Sequence, residues 1–268
     1  MKSLKGLKYE LGFSINELED IVYNIDSFYY KWEKKKQKAD GTIKTRILYP
    51  SKGKLKQIQK QIAKKILSKI ELLPNIHGGV VGKCNITNAR PHLGKKFHLC
   101  TDIKEFFPSV KHRQVYQMFI DNDFSPKIAS LLTKLTTYKR CLPQGTPTST
   151  AIANLVFQKV DFEILKICSK NKITYSRFVD DLVFSSQNCF KDKQYQILSI
   201  FNKYGFERSH KKTFYKAGPI EVTGIVVKHN KLDITDVQKA KLTSKETSEL
   251  SRIGLQIYAS NVKASKKT

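Results

Sequence analysis

The stretch SRFVDDLVFSS, Ser176 to Ser186, sets two adjacent aspartates inside an apolar run. Phe178 and Val179 precede Asp180 and Asp181, and Leu182, Val183 and Phe184 follow them. Apolar flanks around a short polar break predict a β-hairpin with the two carboxylates at or beside its turn, pointing to different sides. Read alone, the pair also suits an ordinary exposed turn. Inside an apolar environment, however, one unpaired carboxylate is costly and two together are worse, so something cationic should compensate them.

Working outward, Asp102 closes a second apolar strand, FHLCTD, just before a turn. Three carboxylates converging on divalent cations would answer the charge problem. Hard oxygen ligands select Mg²⁺ or Mn²⁺, and two such ions ~3.5–4 Å apart can clamp an in-line phosphoryl transfer. Between these segments, LPQGTPTS at Leu142 to Ser149 places a tight Gln144-Gly145 turn at the mouth of a helix, with Pro147 in its first turn. Free N–H groups and the helix dipole favour phosphate there.

The composition fits such chemistry. The 268 residues carry 49 basic against 23 acidic side chains, a net charge of +26 that points to a polyanionic partner. A hydrophobic content of 40% indicates a folded chain rather than a disordered one. Cys84, Cys100, Cys141, Cys168 and Cys189 form no CxxC pair, which argues against a zinc finger or a disulfide scaffold. Without a long apolar run or a leader, the expectation is a cytoplasmic protein with no membrane contact.

Along the chain, a capping box at Ser14 to Glu17 opens LEDIVYNIDSFYYKW, read as one amphipathic helix. KKKQKADGTIKTRILYP reads as a hairpin with cationic arms, turning at Asp40-Gly41. Ile58, Ile62, Ile66 and Ile70, with Leu73, predict a helix ended by Pro74. Residues 75–96 read as irregular loop, and a helix follows from about Val110 to Asp121. A second capping box, Thr235 to Gln238, opens the last helix before a Lys-rich tail. The order is mixed α+β, with strands that cannot all belong to one parallel series.

TDIKEFFPS, LPQGTPTS and FVDD, in this order, resemble the reverse transcriptases. Asp102 stands in the first catalytic block, Gln144-Gly145 in the second, and Phe178 to Asp181 is this chain's YxDD box. NARPH at Asn88 to His92 is similar to the NAxxH marker of the retron enzymes, and VTG at Val222 to Gly224 to their second marker. The resemblance covers roughly residues 25–228. It implies a right-hand polymerase: mainly fingers over 1–96, including the basic hairpin and the NAxxH loop; mainly palm over 97–227, an antiparallel sheet plus helices, with fingers helices inserted at about 110–140; and a short helical thumb and basic tail over 228–268.

The same resemblance implies roles. Asp102 and Asp180 would hold two Mg²⁺ ions, Mn²⁺ being a possible substitute, with Asp181 in support and the Ile103 carbonyl as an extra ligand. Phe107 would lie under the incoming sugar and exclude a 2′-hydroxyl. Arg46 would bind the triphosphate of the dNTP together with one of Lys34, Lys35, Lys36 or Lys38; Gln144 and Gly145 would line the nucleotide site. Lys212 matches a lysine proposed to protonate pyrophosphate, although Ser209 stands where the family often has Asn. Asn88, His92, Val222, Thr223 and Gly224 would contact RNA. The implied activity is synthesis of branched RNA–DNA from a 2′-hydroxyl of a cognate non-coding RNA, held as an RNA–DNA hybrid, in an antiphage system with a separate effector protein. Over residues 225–268 the expectation is a small thumb and no fused effector. A group II intron-like or stand-alone reverse transcriptase is the nearest alternative; a nucleic-acid-binding protein on an inactive polymerase fold is another.

Overall fold

The hairpin forms where the apolar flanks require it. In the computed structural model, which describes residues 3–37, 41–244 and 246–265, the strands in chain order are β1 (Trp32–Gln37), β2 (Ile43–Leu48), β3 (Phe97–Asp102), β4 (Thr174–Phe178), β5 (Asp181–Ser186), β6 (Phe214–Ala217), β7 (Ile220–Val222), β8 (Ile225–Val227) and β9 (Leu232–Ile234). The helices are α1 (Leu4–Leu11), α2 (Ile15–Tyr23), α3 (Gly53–Gln61), α4 (Asn85–Ala89), α5 (Phe106–Ser109), α6 (His112–Asp121), α7 (Pro126–Thr136), α8 (Ser149–Lys170), α9 (Gln194–Lys203), α10 (Asp236–Thr243) and α11 (Glu249–Ala264). None of the described helices is long and apolar enough to cross a membrane. Two compact units result: residues 1–72 with 105–158, and 73–104 with 159–268.

In the first unit, β1 and β2 form an antiparallel ribbon and α6 packs on α7. The capping box at Ser14 is present, but α2 stops at Tyr23, where Asn24 caps it; a 3-10 turn (Ile25–Phe28) follows. The single helix expected through Trp32 is therefore two short ones and the start of β1. Ile58, Ile62 and Ile66 are buried as their spacing predicts. A strict i+4 repeat outruns the 3.6-residue α turn, and the backbone accommodates it by widening to a π-helical turn at Ile62–Ile66. Ile70 and Leu73 fall beyond the helix, which ends in a 3-10 turn at Leu67–Lys69. Pro147 precedes α8 by two residues instead of lying in its first turn.

The second unit is built on a four-stranded antiparallel sheet in the order β4-β5-β3-β6 and a three-stranded sheet β7-β8-β9. Cys100 and Val183 sit opposite each other on one face of the larger sheet, and with Ile220, Val222, Ile225, Ile234 and Val262 they form one apolar cluster. Residues 75–96 are not all loop. Asn85–Ala89 is the helix α4 and Arg90–His92 a 3-10 turn, both packed against β4. The Thr235 capping box is also present, but α10 is followed by a further helix, α11.

Candidate active site

Sequence pattern and strand register together assemble a charged cleft in the second unit. β4 ends at Phe178, β5 begins at Asp181, and the two residues between them make the turn. Asp181 faces Asp102 directly across the β3–β5 ladder. Like charges in that position are destabilising, the more so here because Asp102 is only 6% exposed. Burial, then Asp180, then Asp102, push the Asp181 carboxyl up to about 6.

The cation nearest the pair is Lys212, whose Nζ donates to Asp102 Oδ2 at 2.5 Å. The turn that carries it is fixed by the Ser209 N–H, which donates to the Asp102 carbonyl at 2.7 Å. Burial draws the Lys212 ammonium down, but the hydrogen bond and charge of Asp102, with Asp181 and Asp180, raise it overall. A cleft of about 660 Å³ is lined by Asp102, Asp181, Lys212, Val222, Thr223 and Gly224, among others. Lys211 and Lys216 line it too; their sequence context, one basic run among many, gave no sign of it.

Among the described residues, no three His, Cys, Asp or Glu side chains are grouped so as to hold a metal ion by themselves. Mg²⁺ does not require one, since it keeps several waters and is held by one or two carboxylates together with substrate phosphates. The Asp102–Asp181 pair supplies hard oxygen donors whose mutual repulsion a divalent cation would relieve, so the residues fit such an ion. Asp180 and Ile103 are linked through their backbones, the Ile103 N–H donating to the Asp180 carbonyl at 2.9 Å.

The two short markers meet each other. Asn88 Nδ2 donates to Thr223 Oγ1 at 3.2 Å, and Asn85 Nδ2 to the Thr223 carbonyl at 3.2 Å. Thr223 has φ 46° and Gly224 φ 79°, so α4 holds a tight, left-handed turn that glycine tolerates and threonine resists. The side chains of Asn88 and His92, expected to touch RNA, are instead completely buried. His92 bridges Ser185 Oγ and Ser176 Oγ, each at 2.7 Å, and so ties β5 to β4. Burial excludes a direct RNA contact through these two side chains, whereas Val222, Thr223 and Gly224 do line the cleft.

The remaining expected residues belong to the first unit. Arg46 is exposed on β2 and stands opposite Lys34 on β1, so the register singles out Lys34 as its neighbour on that face. Lys35 pairs with Thr45 on the other face. Lys38, like Asp40 of the expected turn, lies outside the described residues, as does the side chain of Lys36. Phe106 is buried edge-on against Phe157, and Phe107 is half-buried beside it. The Gln144 carbonyl accepts from the Tyr49 N–H at 3.0 Å. Gly145, at φ 96°, lies so close to Pro50 that a Cβ would come within 3.3 Å of its ring.

Residues 34–227 match the family model described as reverse transcriptase (RNA-dependent DNA polymerase). The chain is 30% identical over 239 residues to the retron Ec86 reverse transcriptase of Escherichia coli, covering 87% of this chain and 74% of that protein. It is 31% identical over 238 residues to the retron Se72 reverse transcriptase of Salmonella heidelberg, covering 85% of this chain and 62% of the other. It is 30% identical to the retron Mx65 reverse transcriptase of Myxococcus xanthus, of which it spans 48%. Among solved structures, a telomerase from Candida albicans, determined with a fragment of telomeric RNA, superposes with a TM-score of 0.54 at 12% identity, over 82% of this chain and 50% of that one. That likeness shows the right-hand polymerase fold. The chain therefore belongs to the reverse transcriptases, the RNA-directed DNA polymerases, and among them to the retron enzymes.

Proposed function

We propose that the chain copies part of a structured non-coding RNA into DNA, starting from a 2′-hydroxyl of that RNA and giving a branched RNA–DNA product. The observation that carries this reading is the facing pair Asp102 and Asp181, with Asp180 beside it, in a cleft that also contains the second retron marker. Asp102, Asp180 and Asp181, with the Ile103 carbonyl, would hold Mg²⁺. When bound, the metal lowers the pKa of the attacking hydroxyl and neutralises the leaving pyrophosphate.

The chain's own residues would do the rest. Asp102 and Asp180 would hold the cations, with Asp181 in support; Lys212, already charged against Asp102, would supply a proton at the leaving group. Lys34 and Arg46 repel each other across their strands, a pairing that a triphosphate would stabilise. Phe107 would close the sugar site to a 2′-hydroxyl, and Gln144 and Gly145 would line the nucleotide. In this reading residues 97–227 act mainly as palm, 1–96 mainly as fingers and 228–268 as thumb. The cytoplasm is the proposed compartment, and protection against phage with a separate effector the proposed context; both rest on kinship with the retron enzymes.

The test is DNA synthesis on the RNA of the native locus with Mg²⁺, offering deoxy- and then ribonucleotides. Asp180→Ala is expected to abolish extension while RNA binding stays near the parent's, and Phe107→Val to raise ribonucleotide use. Undiminished synthesis by Asp180→Ala would end the assignment of the carboxylates, and a product without a 2′–5′ linkage would end the branched-priming reading.

A further inference from the structure

A buried ionic cluster adjoins the Val179–Asp180 turn, and polymerase chemistry as described makes no use of it. Asp161 on α8 and Arg177 on β4 both have side chains that are 0% exposed. Arg177 Nε donates to Asp161 Oδ1 at 3.0 Å and Nη2 to Oδ2 at 2.7 Å, a two-pronged pair. The Tyr175 hydroxyl donates to Asp161 Oδ1 at 2.5 Å. Arg177 Nη1 turns the other way and donates to the Val179 carbonyl at 2.9 Å.

Stability is a weak reason to keep such a pair, because removing two charges from water offsets most of their attraction. The geometry supplies a better one. Val179 has φ 58°, a left-handed conformation that a β-branched residue strongly resists. Strain of that kind persists only where the surroundings over-determine it. Two contacts do so here. Arg177 holds the Val179 carbonyl, and Gly78 packs so tightly that a Cβ on it would lie 2.5 Å from the Val179 nitrogen. The segment carrying Gly78 is itself fastened to β4: the Arg177 N–H donates to the Asn75 carbonyl at 2.9 Å, and the His77 N–H to the Arg177 carbonyl at 2.8 Å.

We propose that Arg177, aligned by Asp161 and Tyr175, is a positioning residue that clamps Val179 in its left-handed conformation and thereby fixes Asp180 and Asp181 relative to Asp102. Its fork does two tasks at once: one edge is held by a carboxylate, and the Nη1 prong sets the turn. A lysine can neutralise Asp161 but, as a point donor on a flexible stem, cannot bridge both partners in plane. The inference rests on the reading of Asp180 and Asp181 as metal ligands.

The test is a double-mutant cycle on the full chain with Arg177→Lys and Val179→Gly. Arg177→Lys retains a cation against Asp161 and so orphans no buried charge. Glycine adopts φ near 58° without being held, so Val179→Gly removes the need for a clamp. Three quantities are read: kcat and KM for the deoxynucleotide, and Mn²⁺ binding without nucleotide by electron paramagnetic resonance. Arg177→Lys is expected to lower kcat about 100-fold and to weaken Mn²⁺ binding, with KM little changed. In the Val179→Gly background the same replacement should cost less than about tenfold. An equal loss in both backgrounds, or no loss in either, overturns the clamp.

If Arg177→Lys does not fold, Asp161→Leu with Arg177→Met replaces it, since exchanging a buried pair for apolar residues is often tolerated. A folded double variant with the parent's kcat then overturns the proposal, and one with lowered kcat and weakened Mn²⁺ binding supports it. Asp180→Ala in the same Mn²⁺ titration keeps the two ideas apart. Unchanged binding there defeats the metal-ligand reading itself, whereas loss there without any effect at Arg177 removes only the clamp.

Discussion

Asp181 is held at about 6 by burial, by Asp180 and by Asp102, while Lys212 pulls the other way. In the unfolded chain the same carboxyl titrates near 3.8. Below about pH 3 it is protonated in both states and has no effect on folding. As pH rises through 6, the folded state must carry a charge it disfavours, so stability falls across that window. With metal chelated, the penalty at pH 7 is about 1–3 kcal/mol after allowing for partial exposure. Asp181→Asn should therefore be more stable than the parent in EDTA at pH 7, with the gap shrinking as pH falls and vanishing by about pH 3; paired urea titrations read it. A parent that is the more stable of the two at pH 7 would mean that the carboxylates are compensated by something other than a metal. This residue was legible in the sequence because two adjacent charges in an apolar run have few structural reasons to exist. Arg177, two residues from the turn, was not. A single basic residue in a strand carries no sign that its partner is Asp161, one of two acids on a long helix that also carries lysines.

At the scale of elements, the two retron markers act as a splice between pieces of secondary structure. α4 fastens the β7–β8 turn through Asn85 and Asn88, and the 3-10 turn after it fastens β4 to β5 through His92. Burial, with His98, His77 and Lys95 adding to it, pushes the His92 imidazole down to about 3. A depressed histidine contributes stability above its unfolded value near 6.5 and loses it as pH falls towards 3. His92→Phe removes both hydrogen bonds to the serines and should cost about 1–3 kcal/mol at neutral pH. The gap between parent and variant should narrow at pH 4.5, which urea melts at the two pH values will show; a gap that widens would contradict the neutral bridge. The strands of the cleft and its carboxylates were readable from short apolar runs ending in acids, but α4 was not. NITNARPHLG is rich in Asn and interrupted by Pro and Gly, so its local signal is that of a loop. Tertiary contacts, among them hydrogen bonds to Thr223, Ser176, Ser185 and Tyr258 and the burial of Ala89 and Leu93, make a short helix and a 3-10 turn there worthwhile, and no local pattern reports them.

For the molecule as a whole, the proposed function makes the surplus of +26 the term that would govern RNA binding. Each phosphate neutralised releases counterions, so affinity should fall steeply with salt, by about 10³ or more between 50 and 200 mM if six or more phosphates are met. That slope also distinguishes the tasks of individual cations. A lysine or arginine on the RNA backbone, once replaced by alanine, should lower the slope by about one while leaving the nucleotide KM alone. Arg46 should behave in the opposite way. It faces Lys34 across the β1–β2 ribbon, an unfavourable like-charge pair that a triphosphate would relieve. Arg46→Ala is therefore expected to raise the KM for deoxynucleotides about tenfold or more, the value of one charge-assisted contact, and to leave the salt dependence of RNA binding unchanged. Filter binding from 50 to 300 mM salt, beside steady-state kinetics on the same preparation, measures both. A shallower slope with an unaltered KM would move Arg46 from the nucleotide to the RNA, and the facing cations of the ribbon would then belong to the template.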